Sequence, residues 1–275
     1  MEYVKKYVTL QAKCINFEVT NRIIGFMNFD NINKAADLII QSGYNVGFTG
    51  AGVSVESGIP PFRGKDGLWN KYDPGILDLS YFYSNPEDSW AVIKEIFYDF
   101  FGSAKPNAAH TALAELEQMK LLSSVITQNI DNLHQEAGSN TVYEFHGNSR
   151  NLVCKECEIS YPVTDELIKV LPPRCDKCGS VLKPDFIFFG EMIPEYAYRK
   201  SVEEAQNAHT FIVIGTTGEV VPASLIPQMA KENGVTIIEV NPKKSLFTDS
   251  VTDIYLEGKA SEVMSELLKT VKSKL

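Results

Sequence analysis

The 275 residues of this chain predict a doubly wound α/β domain with a parallel sheet and a smaller module set into it. Three observations carry that reading. Short apolar runs alternate with segments of helical spacing, the pattern of a parallel sheet covered by helices on both faces. The first apolar run, Tyr44 to Phe48, meets the turn Gly50-Ala51-Gly52, as strands do where an α/β fold cradles a pyrophosphate. Hydrophobic residues make up 44% of the chain, enough for one large core.

Each element follows in order. Residues 1 to 30 carry no readable motif. Asn28 to Asn33 has helix-start chemistry, Ile32 to Gln41 has helical spacing, and Ser42-Gly43 supplies a stop. Tyr44 to Phe48 is a buried strand. Lys65 to Asp78, rich in Gly, Asp and Pro, is a loop. Pro86 to Phe101 is a strongly aromatic helical segment, and His110 to Lys120 is a second helix feeding the strand Ser123 to Thr127. Val142-Tyr143 leads into a further turn. Phe211 to Ile214 and Thr236 to Val240 are buried strands with the helix Pro222 to Glu232 between them, and Ala260 to Lys272 is an amphipathic helix. No internal repeat or low-complexity tract interrupts this order.

Composition narrows the function. The formal net charge of −9 gives no global attraction to nucleic acid or to anionic membrane. No apolar run reaches the length of a membrane span, and the first residues, Met1-Glu-Tyr-Val-Lys-Lys, lack the apolar core of a secretion signal. Five cysteines, four of them in two pairs with Cys14 left over, fit a reducing compartment better than a disulfide framework. The expected location is cytoplasmic.

The paired cysteines are themselves a motif. Cys154-x2-Cys157 and Cys175-x2-Cys178 are separated by seventeen residues, 158 to 174, within the spacing of a tetrahedral zinc site. Four thiolates leave no open coordination position, so the zinc expected here is structural, one per chain. A nucleic-acid-binding zinc ribbon is the rival reading, and the acidic composition opposes it.

Gly50-x-Gly52 is followed by Gly58, giving GxGx5G rather than the GxGxxG of a dinucleotide-dependent dehydrogenase. Alone it indicates only a tight turn. The whole string Phe48 to Gly64, FTGAGVSVESGIPPFRG, resembles the nucleotide-binding signature of the sirtuins, the NAD-dependent protein deacylases. Thr127 to His134 (TQNIDNLH), Phe145-His146-Gly147, the two cysteine pairs and Phe188-Phe189-Gly190-Glu191 match that family in order. Gly215-Thr216-Thr217 and Asn241 follow. The resemblance spans roughly residues 35 to 270 by the length of a single domain of this kind.

It implies a Rossmann-like NAD-binding domain of residues 1–60, 105–150 and 183–275. Residues 61–104 and 151–182 would form a small domain, part helical and part zinc module. It also implies NAD as a consumed co-substrate and acyl-lysine proteins as partners. The acyl oxygen attacks the anomeric carbon of the nicotinamide ribose, nicotinamide leaves, and a histidine deprotonates a ribose hydroxyl. The acyl group then ends on ADP-ribose.

By the same resemblance His146 is the general base, a task suited to imidazole because its ordinary pKa lies near working pH. Asn129 orients the reacting region, Gln128 bonds the ribose, and Asp131 meets the nicotinamide carboxamide. Ile130 lies among them, while His134 packs locally and stays outside the site. Gly50, Ala51, Gly52 and Val55 line the phosphate turn, and Phe62 and Arg63 form the mobile-loop pair, the ring shielding the reacting centre and the arginine facing phosphate or ribose. Pro61 stands where the commonest sirtuin form has Asp. Gly215, Thr216, Thr217, Asn241, Lys259 and Ala260 complete the cofactor contacts. The acylated peptide is expected as an extended strand between Phe189-Gly190-Glu191 and Val220-Val221, pairing through its backbone.

Sirtuins that favour succinyl or malonyl lysine carry a Tyr-x-x-Arg pair. Here Tyr98 has no arginine after it and Phe101 stands three residues on, so acetyl or longer apolar acyl groups are expected. The alternatives are a mono-ADP-ribosyltransferase, sharing cleavage of the nicotinamide bond, and a silent NAD-binding scaffold, which would not need His146. A hydride-transferring dehydrogenase is weakest, on the glycine spacing.

Overall fold

The fold is described from a computed structural model for residues 28–65, 67–100, 102 and 104–275. Most of the N-terminal segment, with Cys14, and Phe101 of the acyl-preference argument lie outside the described residues.

The large sheet has six parallel strands in the order β3-β2-β1-β7-β8-β9. These are β1 (Asn45–Thr49), β2 (Ser124–Thr127), β3 (Val142–Glu144), β7 (Thr210–Ile214), β8 (Thr236–Asn241) and β9 (Ile254–Glu257). The chain adds β2 and β3 on one side of β1, then returns to add β7 on the other. The order therefore reverses between β1 and β7, where a crevice opens at the carboxyl ends of the strands.

Three helices cover one face: α1 (Phe29–Gln41), α4 (Ala108–Gln118) and α8 (Ala260–Lys274). α1 starts at Asn28, whose side chain accepts from the Asn31 N–H, and it buries Ile32, Ala35, Ala36 and Ile39 at helical spacing. The opposite face is covered by α6 (Glu195–Asn207) and α7 (Leu225–Glu232). Alternation along β7 serves both: Ile212 and Ile214 join the first core, Phe211 and Val213 the second.

A third core belongs to the smaller part. Its antiparallel sheet runs β5-β4-β6, with β4 (Gly147–Cys154), β5 (Ile159–Pro162) and β6 (Lys183–Phe186). Beside it lie α2 (Leu79–Ser84) and α3 (Pro86–Ile93), the latter continuing as π-helix through Lys94–Phe100. Phe82, Trp90, Ile93 and Ile96 pack with Leu152, Leu182, Phe186 and Phe188, and Trp90 Nε1 donates to the Leu182 carbonyl at 2.9 Å. The helical and cysteine-bearing segments thus share one interior. The small sheet, α2, α6, β9 and a short helix α5 (Leu133–Glu136) are additions to the elements expected from sequence, and α7 begins at Leu225 rather than Pro222.

Candidate functional site

The turns that follow β1 and β7 meet glycine on glycine. Gly50 N–H donates to the Ile214 carbonyl at 3.0 Å and Gly52 N–H to the Gly215 carbonyl at 2.8 Å. A Cβ on Gly52 would lie 2.7 Å from Gly215 Cα, and one on Gly215, whose φ is +65°, would lie 2.3 Å from Val53 N. This corrects the expected use of these residues. The amides of Gly50 and Gly52 bond to the β7 turn instead of facing an anion, and the glycines permit the two turns to touch. After them residues Ala51–Ser57 wind as a 3-10 helix with Val53 and Ser54 buried and Val55 exposed.

A cavity of about 800 Å³ lies beside the crevice. Gln128 and Ile130 line it from the segment after β2 and His146 from that after β3, Phe62 and Arg63 from the loop after the 3-10 helix. Phe189, Gly190, Glu191, Val220 and Val221 line it from the outer side. Its apolar lining includes Trp69, Phe97, Phe186 and Phe188. Phe62 packs on Trp69 and Phe97, with ring centroids 5.3 and 6.4 Å apart.

His146 follows β3 by two residues. Its Nδ1 lies 2.9 Å from the Gln128 carbonyl oxygen. A carbonyl only accepts, so Nδ1 carries the proton and Nε2 of the neutral ring keeps its lone pair. Burial pushes the His146 pKa down, opposed in part by that hydrogen bond.

Behind this ring lies a buried polar network. Ser54 Oγ donates to Asp131 Oδ2 at 2.7 Å, and Asn129 Nδ2 reaches Ser54 Oγ at 3.1 Å and Asp131 Oδ2 at 3.3 Å. Leu133 N–H donates to Asp131 Oδ1 at 3.0 Å, which ties Asp131 to the first residue of α5. Burial raises the Asp131 pKa against these donors. His110 Nδ1 accepts the Asn107 N–H at 3.2 Å, which leaves Nε2–H to face Ser54 Oγ at 3.4 Å. His134 Nε2 bonds Thr49 Oγ1 at 2.8 Å, consistent with its expected local role. Ser54 and His110 escaped sequence reading, since a serine between glycines and a histidine on a helix carry no distinguishing spacing.

The residues expected at the cofactor further along form a connected line. Gln128 Nε2 donates to Thr216 Oγ1 at 3.2 Å, and Asn241 Nδ2 donates to the Thr216 carbonyl at 3.0 Å and to Glu239 Oε1 at 2.9 Å. With both amide hydrogens of Asn241 engaged, its Oδ1 is what remains to offer, an acceptor suited to a ribose hydroxyl. Glu239, wholly buried, also accepts from Ser245, Thr248 and Thr252, which tie down the following loop. The Thr217 carbonyl accepts from Leu246 N–H, and Gly258 N–H donates to the Asn241 carbonyl at 3.1 Å, bringing Lys259 beside it. Lys259 is exposed, whereas Ala260 packs into the core.

One expectation for the peptide side changes. Phe189 N–H donates to the Leu77 carbonyl at 2.8 Å and its carbonyl accepts from Leu79 N–H at 3.1 Å, so its backbone is unavailable to a peptide. Its side chain remains half exposed at the cavity. The Glu191 carboxylate is held internally by Lys183 at 2.7 Å, by Phe188 N–H at 2.9 Å and by Lys155 at 3.3 Å. Burial pushes Lys183 down to about 8, and its bond to Glu191 opposes that shift. Burial acts to raise the Glu191 pKa, but the Lys183 bond and charge prevail and the net shift is downward.

The four sulfurs of Cys154, Cys157, Cys175 and Cys178 lie within 4.8 Å of one another. Cys154 and Cys178 Sγ are 3.5 Å apart, and Cys157 and Cys175 Sγ 4.0 Å. A tetrahedral zinc with Zn–S of about 2.3 Å sets its sulfurs about 3.8 Å apart, so the cluster fits that metal with no carboxylate or open position.

Comparison with known proteins agrees with this geometry. A model of the Sir2 family matches residues 50–222. NAD-dependent protein deacetylase 1 of Pyrobaculum aerophilum is 42% identical over 248 residues, covering 90% of this chain and 97% of its own. NAD-dependent protein deacylase 1 of Archaeoglobus fulgidus is 44% identical over 244 residues, covering 88% and 98%. A solved complex of a Sir2 homolog with NAD matches with a TM-score of 0.81 at 43% identity, covering 88% of this chain and 94% of that one. A complex of Sir2 with a p53 peptide and NAD+ matches at 0.79 and 38% identity, covering 85% and 95%.

Proposed function

The chain belongs to the Sir2 family, and from that premise we propose that it is an NAD-dependent protein-lysine deacylase with His146 as its base. The observation that carries the assignment is the Nδ1 bond of His146 to the Gln128 carbonyl, which leaves Nε2 as a proton acceptor on the cavity wall. NAD fits the crevice where β1 and β7 part, with Asn241 Oδ1 offered to a ribose hydroxyl. Bound there, NAD supplies a ribose carbon made electrophilic by the departure of nicotinamide.

The chain's own residues have four tasks. Gly50, Ala51, Gly52, Val55, Gly215, Thr216, Thr217, Lys259 and Ala260 shape the cofactor's bed. Gln128, Asn129, Ile130 and Asp131 orient its reactive end. Asp131, fixed by Ser54, Asn129 and Leu133, is preset to accept from a carboxamide N–H. Phe62 and Arg63 cover the reacting centre, the ring excluding water. His146 takes the proton of a ribose hydroxyl at Nε2.

Cys154, Cys157, Cys175 and Cys178 hold the structural zinc. The third core, which gathers residues of α3, β4 and β6, supports the proposed small domain of residues 61–104 and 151–182. The peptide edge on this side narrows to Gly190–Met192, opposite Val220-Val221. Among the described residues no helix is long and apolar enough to cross a membrane. The clustered thiols support a reducing, cytoplasmic setting.

The apolar cavity lining supports the expected acyl preference. Tyr98 is not part of that lining; it stacks on Trp90, and its hydroxyl has no partner among the described residues. The test is mass spectrometry of products from NAD with otherwise identical acetyl-, myristoyl- and succinyl-lysine peptides. Nicotinamide and O-acyl-ADP-ribose are expected, with kcat/KM for succinyl at least about tenfold lower, the cost of an unpaired buried carboxylate. ADP-ribose retained on protein would favour the transferase reading.

A further inference from the structure

Lys183 lies outside every motif that identifies the family site, yet it is the most deeply buried cation among the described residues, with 2% of its surface exposed. Its three N–H donors are matched by three acceptors: the Pro184 carbonyl at 2.9 Å, the Phe186 carbonyl at 2.6 Å and Glu191 Oε2 at 2.7 Å. The ammonium also sits 4.1 Å from the centroid of Phe188.

Glu191 closes a turn of its own. Its Oε2 accepts the Phe188 N–H at 2.9 Å, and its N–H donates to the Phe188 carbonyl at 3.0 Å. Phe189, which follows Phe188, is tied on both backbone atoms to Leu77 and Leu79. Gly190 and Met192, by contrast, have no backbone partner among the described residues. A peptide adding a strand here must find this short open edge at a fixed height and angle, because strand addition depends on aligned backbone donors and acceptors.

We infer that Lys183 is a positioning residue that, through the Glu191 carboxylate, holds the Gly190–Met192 edge in the orientation that receives an acyl-lysine peptide. The inference rests on the deacylase reading. Lys155, half exposed, is a weaker partner of the same carboxylate. The pair Lys183–Glu191 acts as a unit, since removing Glu191 leaves Lys183 a lone buried charge and removing Lys183 leaves Glu191 only the half-exposed Lys155.

The test is steady-state kinetics and direct binding on zinc-loaded protein carrying K183M, E191Q or both. Each single variant is expected to raise the peptide KM about tenfold or more, with kcat and the Kd for NAD within about twofold of the parent. The double variant is expected to be no worse than the poorer single one, the signature of a coupled pair. Effects that multiply in the double variant, or that fall on kcat or NAD binding, would overturn the inference. If K183M does not fold, E191Q decides alone, because its amide oxygen still accepts the Phe188 N–H and only the ionic link is lost. An unchanged peptide KM in E191Q then overturns it. Parent protein inactive on every acyl peptide would instead overturn the deacylase reading.

Discussion

At the scale of single residues the site depends on which atom carries a proton. His146 is held with Nδ1 protonated, and burial lowers its pKa from the ordinary 6.5. In the proposed role of His146 as base the neutral ring is the active form, so lowering its pKa extends activity towards acid. The acid limb of kcat/KM is expected to break below pH 6.5, and a break at or above that value would contradict the assignment. His146→Ala should lower kcat on the order of 10²–10⁴-fold while NAD still binds, as measured by calorimetry. The four cysteines were legible in the sequence because their paired spacing is that of a metal site, whereas His146 was singled out only through the family resemblance carried by Phe145-His146-Gly147. Ser54, Lys183 and the bonded backbone of Phe189 were not legible. Their partners, Asp131, Glu191 and the Leu77–Leu79 backbone, are supplied by folding, and Phe189 stands 110 positions from the nearest residue it pairs with, Leu79.

At the scale of elements, legibility followed apolar periodicity. The buried strands β1, β2, β7 and β8 announced themselves as apolar runs. α6 did not, because its buried face consists of Ala197, Ser201, Glu204 and Ala205, small or charged residues that leave almost no hydrophobic signal. The small sheet was hidden for a related reason. β5 alternates between half-buried and exposed residues, and the sheet is completed by four sulfurs as much as by apolar packing. Elemental analysis is expected to give about one zinc per chain. Cys175→Ser, which removes a buried ligand from the third core, should lower both zinc content and thermal stability. Full stability in metal-free protein would refute the structural role.

At the scale of the whole molecule, two buried imidazoles beneath the β1 and β2 ends set a limit on acid stability. Burial pushes His110 down to about 4 and His134 well below its ordinary value. The unfolded chain binds these protons near pH 6.5, whereas the folded chain resists them. Stability is therefore complete above 6.5 and falls as the pH drops from there towards 4. For His110 the difference between 6.5 and about 4 corresponds to about 3 kcal/mol at the low end. The melting temperature should decline between pH 7 and 5, and His110→Asn should flatten that decline. A flat profile in the parent protein would show that the pair does not control it. The contact of Gly52 with Gly215 has a different consequence, for redesign. That seam has no room for even one methyl group, so positions 52 and 215 are closed to anyone retargeting the chain to another nucleotide. Variation has to enter where the wall is open, at Val55, Arg63 and Lys259, whose side chains can be exchanged without forcing the two halves of the sheet apart.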